Sequence, residues 1–443
     1  MSMFSLPGVH APHRKNTAGL APVVMPPPAT VTIPAVMHIG RPAKFIVKAG
    51  DTVQVGQLIA EADGPISAPI HASVSGTVKK LDTVLLSGGN RAPAVLIASD
   101  GEMTVSETVA PPTVTDYASF IEAIRQSGIV GLGGAGFPTA VKLDIKDTTR
   151  CDTVLINGAE CEPYITSDTR TMIDRAEDLR QGVELLKKYL GTKRVLIGIE
   201  KNKPEAIKKM KETFASDGAV SVVSMPSLYP QGGEKVLIYN LTRRIVPEGK
   251  LPIDVGVIVI NCTTLAEIAA YIRTGMPLVS KCVTFDGSAV AEPKNVLVPI
   301  GTSVADLAAF AGGYKCEPKK LLYGGLMMGI ALPDATAPVL KNTNAILALD
   351  EKDAAPAPET PCLRCGKCVD HCPIHLSPVS IAIAHREGDC ARLADLKVNL
   401  CMECGCCSYV CPAHRPLVQT NRLSKAMLRA HAAKEQAKEE KKA

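Results

Sequence analysis

At 443 residues, with 46% of them hydrophobic, the chain is long enough for several folded domains and too apolar to be disordered. It has no Trp and only 4% aromatic residues, which argues against a surface that stacks nucleic-acid bases; its formal charge of +5 permits an acidic or anionic partner without demanding one. No apolar run reaches the roughly 18 residues that span a bilayer, and the N-terminus has no signal-like apolar region. The expected location is therefore the cytoplasm, where 15 cysteines should bind metal or do redox work rather than form disulfides.

Taken in chain order, residues 1–30 read as irregular, with the Pro-rich "PVVMPPPA". "AKFIVKAGDTVQVGQLIAEADGPISAPIHASVSGTVKKL" then alternates apolar and polar residues between Gly-containing turns, as half-buried strands do. The pattern resembles a biotinyl/lipoyl-type barrel-sandwich, but the tip stretch "GPISAPIHASVSG" has no Lys to carry a group, which favours a structural barrel. "DYASFIEAIRQSG" has helical periodicity. "RVLIGIE", "VSVVSMP" and "VGVIVIN" read as short buried strands separated by helical "KPEAIKKMKETF" and followed by "TLAEIAAYIRTG", an α/β layer. "CVTFDG" and "NVLVPI" around the helix "SVADLAAFAGG" suit a small β-grasp-like module, and "DEKDAAPAPET" reads as a linker. The expected divisions are a segment and barrel over 1–112, an α/β domain over 113–280, a β-grasp domain over 281–348 and a linker over 349–360. A helical cysteine-rich domain over 361–424 and a charged, solvated tail over 425–443 complete the chain.

Two cysteine runs match one template: Cys362, Cys365, Cys368 and Cys372 before Pro373, and Cys401, Cys404, Cys407 and Cys411 before Pro412. This is the bacterial ferredoxin spacing for four-iron, four-sulfur clusters, in which the fourth cysteine serves the other cluster. Cys411 is thus expected to join Cys362, Cys365 and Cys368, and Cys372 to join Cys401, Cys404 and Cys407, leaving Cys406 spare. Structural zinc is the alternative, but it explains neither the Cys-Pro endings nor the duplication. The scattered Cys151, Cys161, Cys262, Cys282, Cys316 and Cys390 read mostly as small buried hydrophobes.

Gly131, Gly133 and Gly136 formally satisfy G-x-G-x-x-G, yet a helical segment precedes them where a Rossmann fingerprint needs a strand. Read alone, the stretch fits either a tight turn or a loop whose bare backbone approaches a ring or phosphate. Together, "GLGGAGFPTAVK" and "NGAECEPY" resemble the flavin- and NADH-binding subunit of respiratory complex I. That resemblance implies a modified Rossmann-like domain binding FMN and NADH, followed by a β-grasp (SLBB-like) domain. It implies that Gly131, Gly133, Gly134 and Gly136 form the cofactor loop, that Phe137 faces the adenine of NADH, and that Lys142 binds cofactor. Asn157, Glu160 and Glu162 match its second motif. "YPQGGEKVL" places Tyr229 and Glu234 near flavin and nicotinamide, and "INCTTLAE" places Asn261 and Thr264 near the FMN phosphate. Ala159 and Gly233 depart from the family, which usually has acids there.

The paired cysteine runs and the N-terminal barrel, with the start "GVHAPHRKNT", are similar in this order to the RnfC family of the Rnf (Rsx) electron-transport complexes. That resemblance implies a peripheral subunit on the cytoplasmic side of the inner membrane, docked on integral-membrane and iron–sulfur partners and reached indirectly by ferredoxin. Its expected cofactors are FMN and two 4Fe-4S clusters, with NAD(H) as substrate and Na⁺ or H⁺ movement coupled in the partners. A flavin is needed because NADH exchanges two electrons together while clusters take one each. Hydride transfer needs no strong acid or base, so Glu162 and Glu234 are expected to position the nicotinamide. The rival readings are a soluble NADH-dependent flavin/iron–sulfur reductase, such as a corrin reductase, and a ferredoxin-like adaptor with a dead nucleotide pocket. The corrin reductases carry the barrel elsewhere in the chain.

Overall fold

The computed structural model describes residues 6–440. They form two compact units. The larger comprises His13–Met225 and Leu251–Ala354; the smaller comprises Pro226–Lys250, Ala355–Ala443 and the N-terminal residues up to Pro12.

The larger unit opens with two small sheets. One has the order Thr30–Pro34, Arg91–Ser99, Gly76–Leu85, Thr52–Val53; the other has Lys44–Phe45, Leu58–Glu61, Ile70–His71. Val31, Ile33, Val95 and Ile97 are completely buried while Thr30, Thr32, Leu96 and Ala98 between and beside them are more exposed, close to the period-two pattern of a half-buried strand. Of that tip stretch residues 64–66 are exposed and residues 67–76 are buried, with no Lys among them.

The central layer is a parallel sheet of β1 (Thr153–Gly158), β2 (Arg194–Glu200), β3 (Val220–Met225) and β4 (Val257–Asn261), in the order β3-β2-β1-β4. Val154, Leu155, Val195, Ile199 and Val257 are fully buried, because helices cover the sheet. Helix Tyr117–Gln126 starts at a capping box between Asp116 and Ser119, and helix Ala176–Leu190 ends at a left-handed Gly191. Between β2 and the next helix, Lys203 Nζ donates to Glu200 at 3.1 Å, and both side chains are almost wholly buried. Lys203→Met should leave the Glu200 carboxylate buried without this cation and cost about 3–5 kcal/mol, read as a lower denaturant midpoint.

The third part is a six-stranded mixed sheet. Its order is Val23–Val24, Lys294–Pro299, Ser280–Asp286, Ala345–Leu349, Lys320–Tyr323, Ile330–Ala331, with helix Val304–Phe310 packed on it. Val23–Val24 pairs in parallel with Lys294–Pro299, although the sequence reads as irregular there. A two-residue strand in a proline-rich stretch is too short to show any period, and only the tertiary pairing reveals it. Glu351–Ala354 likewise forms a short helix within the Ala/Pro-rich stretch.

In the smaller unit the two cysteine runs fold alike. Arg364 and Glu403, Gly366 and Gly405, and His375 and His414 take left-handed backbone at corresponding positions. A short helix (Lys367–Asp370, Cys406–Tyr409) follows each glycine, and a longer one (Pro378–Glu387, Leu417–Glu440) follows each Cys-Pro. Leu376, Ile381, Ala384, Leu393 and Val398 make the core between them. The last helix is continuous through the stretch read as a charged tail, carried by helix formers such as Ala, Lys, Glu and Gln.

Candidate functional site

The strand order of the central sheet fixes where a ligand fits. From β1 the chain steps outward to β2 and β3, then returns to place β4 on the other side of β1. The crevice at the carboxyl ends of β1 and β4 is therefore the topological switch point. Asn157 and Asn261 are register partners at that edge. Asn261 caps helix Cys262–Thr274: its Oδ1 accepts from Thr264 N at 3.0 Å, and its Nδ2 donates to Asp168 at 2.7 Å. Thr264 Oγ1 in turn accepts from Leu132 N of the glycine loop at 2.9 Å. Asp168 also accepts from Thr263 and donates its own N–H to Glu160 at 2.6 Å. One polar chain thus links the glycine loop, the end of β4 and Glu160.

The loop holding Gly131, Gly133, Gly134 and Gly136 closes on itself, with Gly131 N donating to Phe137 O at 2.8 Å. Gly133 and Gly134 are exposed, and Phe137 is half-buried. A Cβ on Gly133 would sit 3.1 Å from Asn261 Nδ2, so the bare backbone lets the loop lie against the strand end. Gly134 and Gly136 have φ of +110° and +69°. Two distant segments hold this loop: Asn342 Nδ2 donates to Gly134 O at 2.8 Å, and Ile39 N of the barrel donates to Gly136 O at 2.9 Å. Lys142 Nζ donates to Val259 O at 3.0 Å.

Glu160 accepts from Asp168 N and from Thr169 N and Oγ1, at the start of helix Ser167–Asp174. Burial raises its pKa, and the nearby Lys15 ammonium pulls against that rise. Glu162 accepts from Met327 N and Met328 N, both at 2.9 Å, and so holds the turn at residues 324–329 of the six-stranded sheet. Ala159 is completely buried and donates its N–H to Asn157 Oδ1 at 3.2 Å.

Gly131, Gly133, Gly134, Gly136, Phe137, Lys142, Asn157, Glu160, Glu162, Asn261 and Thr264 all belong to the larger unit. Tyr229 and Glu234 belong to the smaller one. Tyr229 Oη donates to Cys404 O at 2.8 Å, and Glu234 begins helix Glu234–Thr242. A Cβ on Gly233 would come within 2.2 Å of Met402 Cε, so an acid there would have to displace Met402 from its place in the second cysteine run.

The cysteines sort into two sets. Cys362, Cys365, Cys368 and Cys411 line one cavity; Cys372, Cys401, Cys404 and Cys407 line another. Among the described residues no three His, Cys, Asp or Glu side chains meet as a single-ion site. Each thiol set instead rings a void, and the ligand type and count suit a polynuclear cluster. Backbone N–H groups of Arg364, Leu376 and Glu403 donate to Cys362, Cys372 and Cys401 at 3.3–3.4 Å, and Asn421 Nδ2 also donates to Cys401. For Cys372 and Cys401 burial outweighs these donors and pushes the thiols above their ordinary pKa. Cys406 borders the second cavity, but its Sγ lies 3.9 Å from Tyr229 O.

Fold and loops together define an oxidoreductase of the class built on an FMN-binding domain: residues 124–270 match the Nuo51 FMN-binding domain. Residues 5–102 match the RnfC barrel sandwich hybrid domain, and residues 282–331 match the SLBB domain. The chain is 41% identical to the C subunit of the proton-translocating ferredoxin:NAD(+) oxidoreductase complex of Clostridium ljungdahlii, over 97% of this chain and 95% of that one. It is 41% identical to the Na(+)-translocating counterpart of Acetobacterium woodii, over 85% of this chain and 86% of that one. The C subunit of an ion-translocating oxidoreductase complex of Rhodobacter capsulatus is 39% identical, over 95% of this chain and 82% of that one. The chain belongs to the RnfC family. A chain of an NAD⁺-reducing [NiFe]-hydrogenase, at 18% identity, shares the fold with a TM-score of 0.51 over 71% of this chain and 63% of that one. Among the described residues no helix is long and apolar enough to cross a membrane.

Proposed function

We propose that the chain is the NAD(H)-reactive, peripheral subunit of a membrane-bound ferredoxin:NAD⁺ oxidoreductase complex, on the cytoplasmic side of the membrane. It carries FMN and two 4Fe-4S clusters, and the ion movement, of Na⁺ or H⁺, belongs to integral-membrane partners. The observation that carries this reading is the co-occurrence, in one chain, of a flavin-type switch-point site and two separate cavities, one lined by Cys362, Cys365, Cys368 and Cys411 and the other by Cys372, Cys401, Cys404, Cys407 and the bordering Cys406.

The residues divide the work. Asn261 and Thr264 fix the glycine loop at the start of a 13-residue helix, whose N-terminal partial charge suits a phosphate. Gly133 and Gly134 expose bare backbone against which a flat ring system fits. Lys142 adds a cation beside β4. Bound FMN would supply the exchange between a two-electron hydride donor and one-electron carriers. The chain itself need only hold the nicotinamide in place, and Glu162 serves that positioning rather than proton transfer. Cys362, Cys365, Cys368 and Cys411 would hold one cluster, and Cys372, Cys401, Cys404 and Cys407 the other.

The test is co-purification. A tagged chain drawn from detergent-solubilised membranes should bring down integral-membrane proteins together with ferredoxin:NAD⁺ activity. Recovery of NADH-dependent activity only in the soluble fraction, with no membrane partner, would replace this reading with that of a soluble reductase.

A further inference from the structure

The stretch "HRKNT" at 13–17 lies outside the glycine loop and the cysteine runs, yet every residue of it is bonded to the rest of the larger unit. His13 O accepts from Tyr164 N at 3.0 Å. Arg14 NH1 donates to Tyr164 Oη at 2.6 Å and to Asp353 at 2.8 Å, with its guanidinium 5.4 Å from the Tyr164 ring centre. Lys15 Nζ donates to Glu160 O, Glu162 O and Ile165 O at 2.8, 2.8 and 2.6 Å. Asn16 Nδ2 donates to Asp286, and Thr17 Oγ1 meets Thr166 Oγ1. Asn295 Nδ2 donates to Thr17 O at 3.0 Å, fastening the far end to the six-stranded sheet.

Four of the five residues, His13, Arg14, Lys15 and Thr17, bond to residues 160–166, the loop that leaves β1 at the switch point. That loop is strained: Glu160 and Tyr164 have φ of +45° and +70°, a backbone region that side-chain-bearing residues rarely adopt. Three of its carbonyls also point at one spot. Their oxygens repel one another, and no single backbone N–H serves all three. A lysine ammonium has three donors and no acceptor, so it satisfies the three carbonyls at once. The loop therefore has this shape because Lys15 occupies its centre.

The geometry points to a positioning role for the strap of residues 13–17: Lys15 sets the 160–166 loop in the conformation that receives the nicotinamide end of NADH. The inference rests on the reading that Glu162 borders the nicotinamide. Glu162 joins the loop to the turn at 324–329, so slackening the loop also releases that turn. The side chains of Arg14, Lys15, Asn16 and Thr17 bond to residues 160–166, Asp286 and Asp353 rather than to the glycine loop. Its loss should therefore weaken dinucleotide binding and spare flavin and iron.

The experiment compares Lys15→Met, Asn16→Ala and Glu162→Gln in the full, cofactor-replete chain, with NADH as donor and an artificial one-electron acceptor. Lys15→Met should raise the KM for NADH at least about tenfold while the rate at saturation stays within about twofold, the pattern of lost binding rather than lost chemistry. Flavin and iron per chain should not change. Asn16→Ala keeps the ammonium and loosens only its anchor, so a rise of about threefold is expected; it decides the matter if Lys15→Met does not fold. Wild-type KM in the strap variants beside a raised KM in Glu162→Gln overturns the inference and leaves the nicotinamide reading standing. Wild-type KM in all three overturns both.

Discussion

Cys372→Ser should remove the cluster of the other run. The expected product keeps one cluster, on Cys362, Cys365, Cys368 and Cys411, and loses the one ligated by Cys401, Cys404 and Cys407. Iron should fall from about eight to about four per chain. Cys372 lines the same cavity as the second run, and Leu376 N donates to its sulfur at 3.3 Å, while Cys411 lines the cavity of the first. The reason lies in the chain path. Two-residue gaps wrap three thiols around one void, and the short helix after the left-handed glycine carries the fourth thiol away to the neighbouring void. Cys411→Ser should give the mirror result, and Cys406→Ser should keep both clusters. Iron analysis with spectroscopy of the reduced variants separates these outcomes. Loss of the first run's cluster in Cys372→Ser would show that each run ligates its own cluster.

The second large effect is expected at Gly136. Gly136→Val should abolish flavin retention and leave cysteine-bound iron intact. A β-branched residue at φ +69° costs about 1–2 kcal/mol by itself. Its Cβ would also press to 3.1 Å from Asn342 Nδ2, the group that holds Gly134 O. The loop would then have to leave both Asn342 and the Ile39 N–H. Each 1.4 kcal/mol lost is about a tenfold drop in affinity, so the two effects together should take the variant below stoichiometric flavin. Flavin absorbance and iron measured on one sample decide it; full flavin content would remove this loop from the cofactor site.

Some of this architecture was legible in the sequence because its signals are local. Cysteine spacing is one: ligands to a void follow each other within a few residues. The apolar runs of β2 and β4 are another, since a covered parallel strand needs no polar alternation. The glycine stretch and "INCTTLAE" could be found, and Thr264 does bond to the loop. What stayed hidden depends on residues far apart in sequence. Nothing near Asn342 or Ile39 announces that they grip Gly134 and Gly136. Asp168, the hub between Asn261 and Glu160, reads as an ordinary acid at the start of a helix. Lys15 looks like one more basic residue in an irregular terminus. Gly233 reads as a missing acid, whereas the structure sets it against Met402 of the second cysteine run.

The central claim is that one chain passes electrons between cysteine-bound clusters and NAD⁺ through flavin. The most direct measurement is an anaerobic one on the purified chain, loaded with flavin and iron, reduced with a stoichiometric amount of dithionite and then given NAD⁺. NADH should appear as the cluster signals of the reduced protein decay, and a flavin-depleted sample should form none. A flavin-loaded, cluster-replete chain that stays reduced and yields no NADH would contradict the claim.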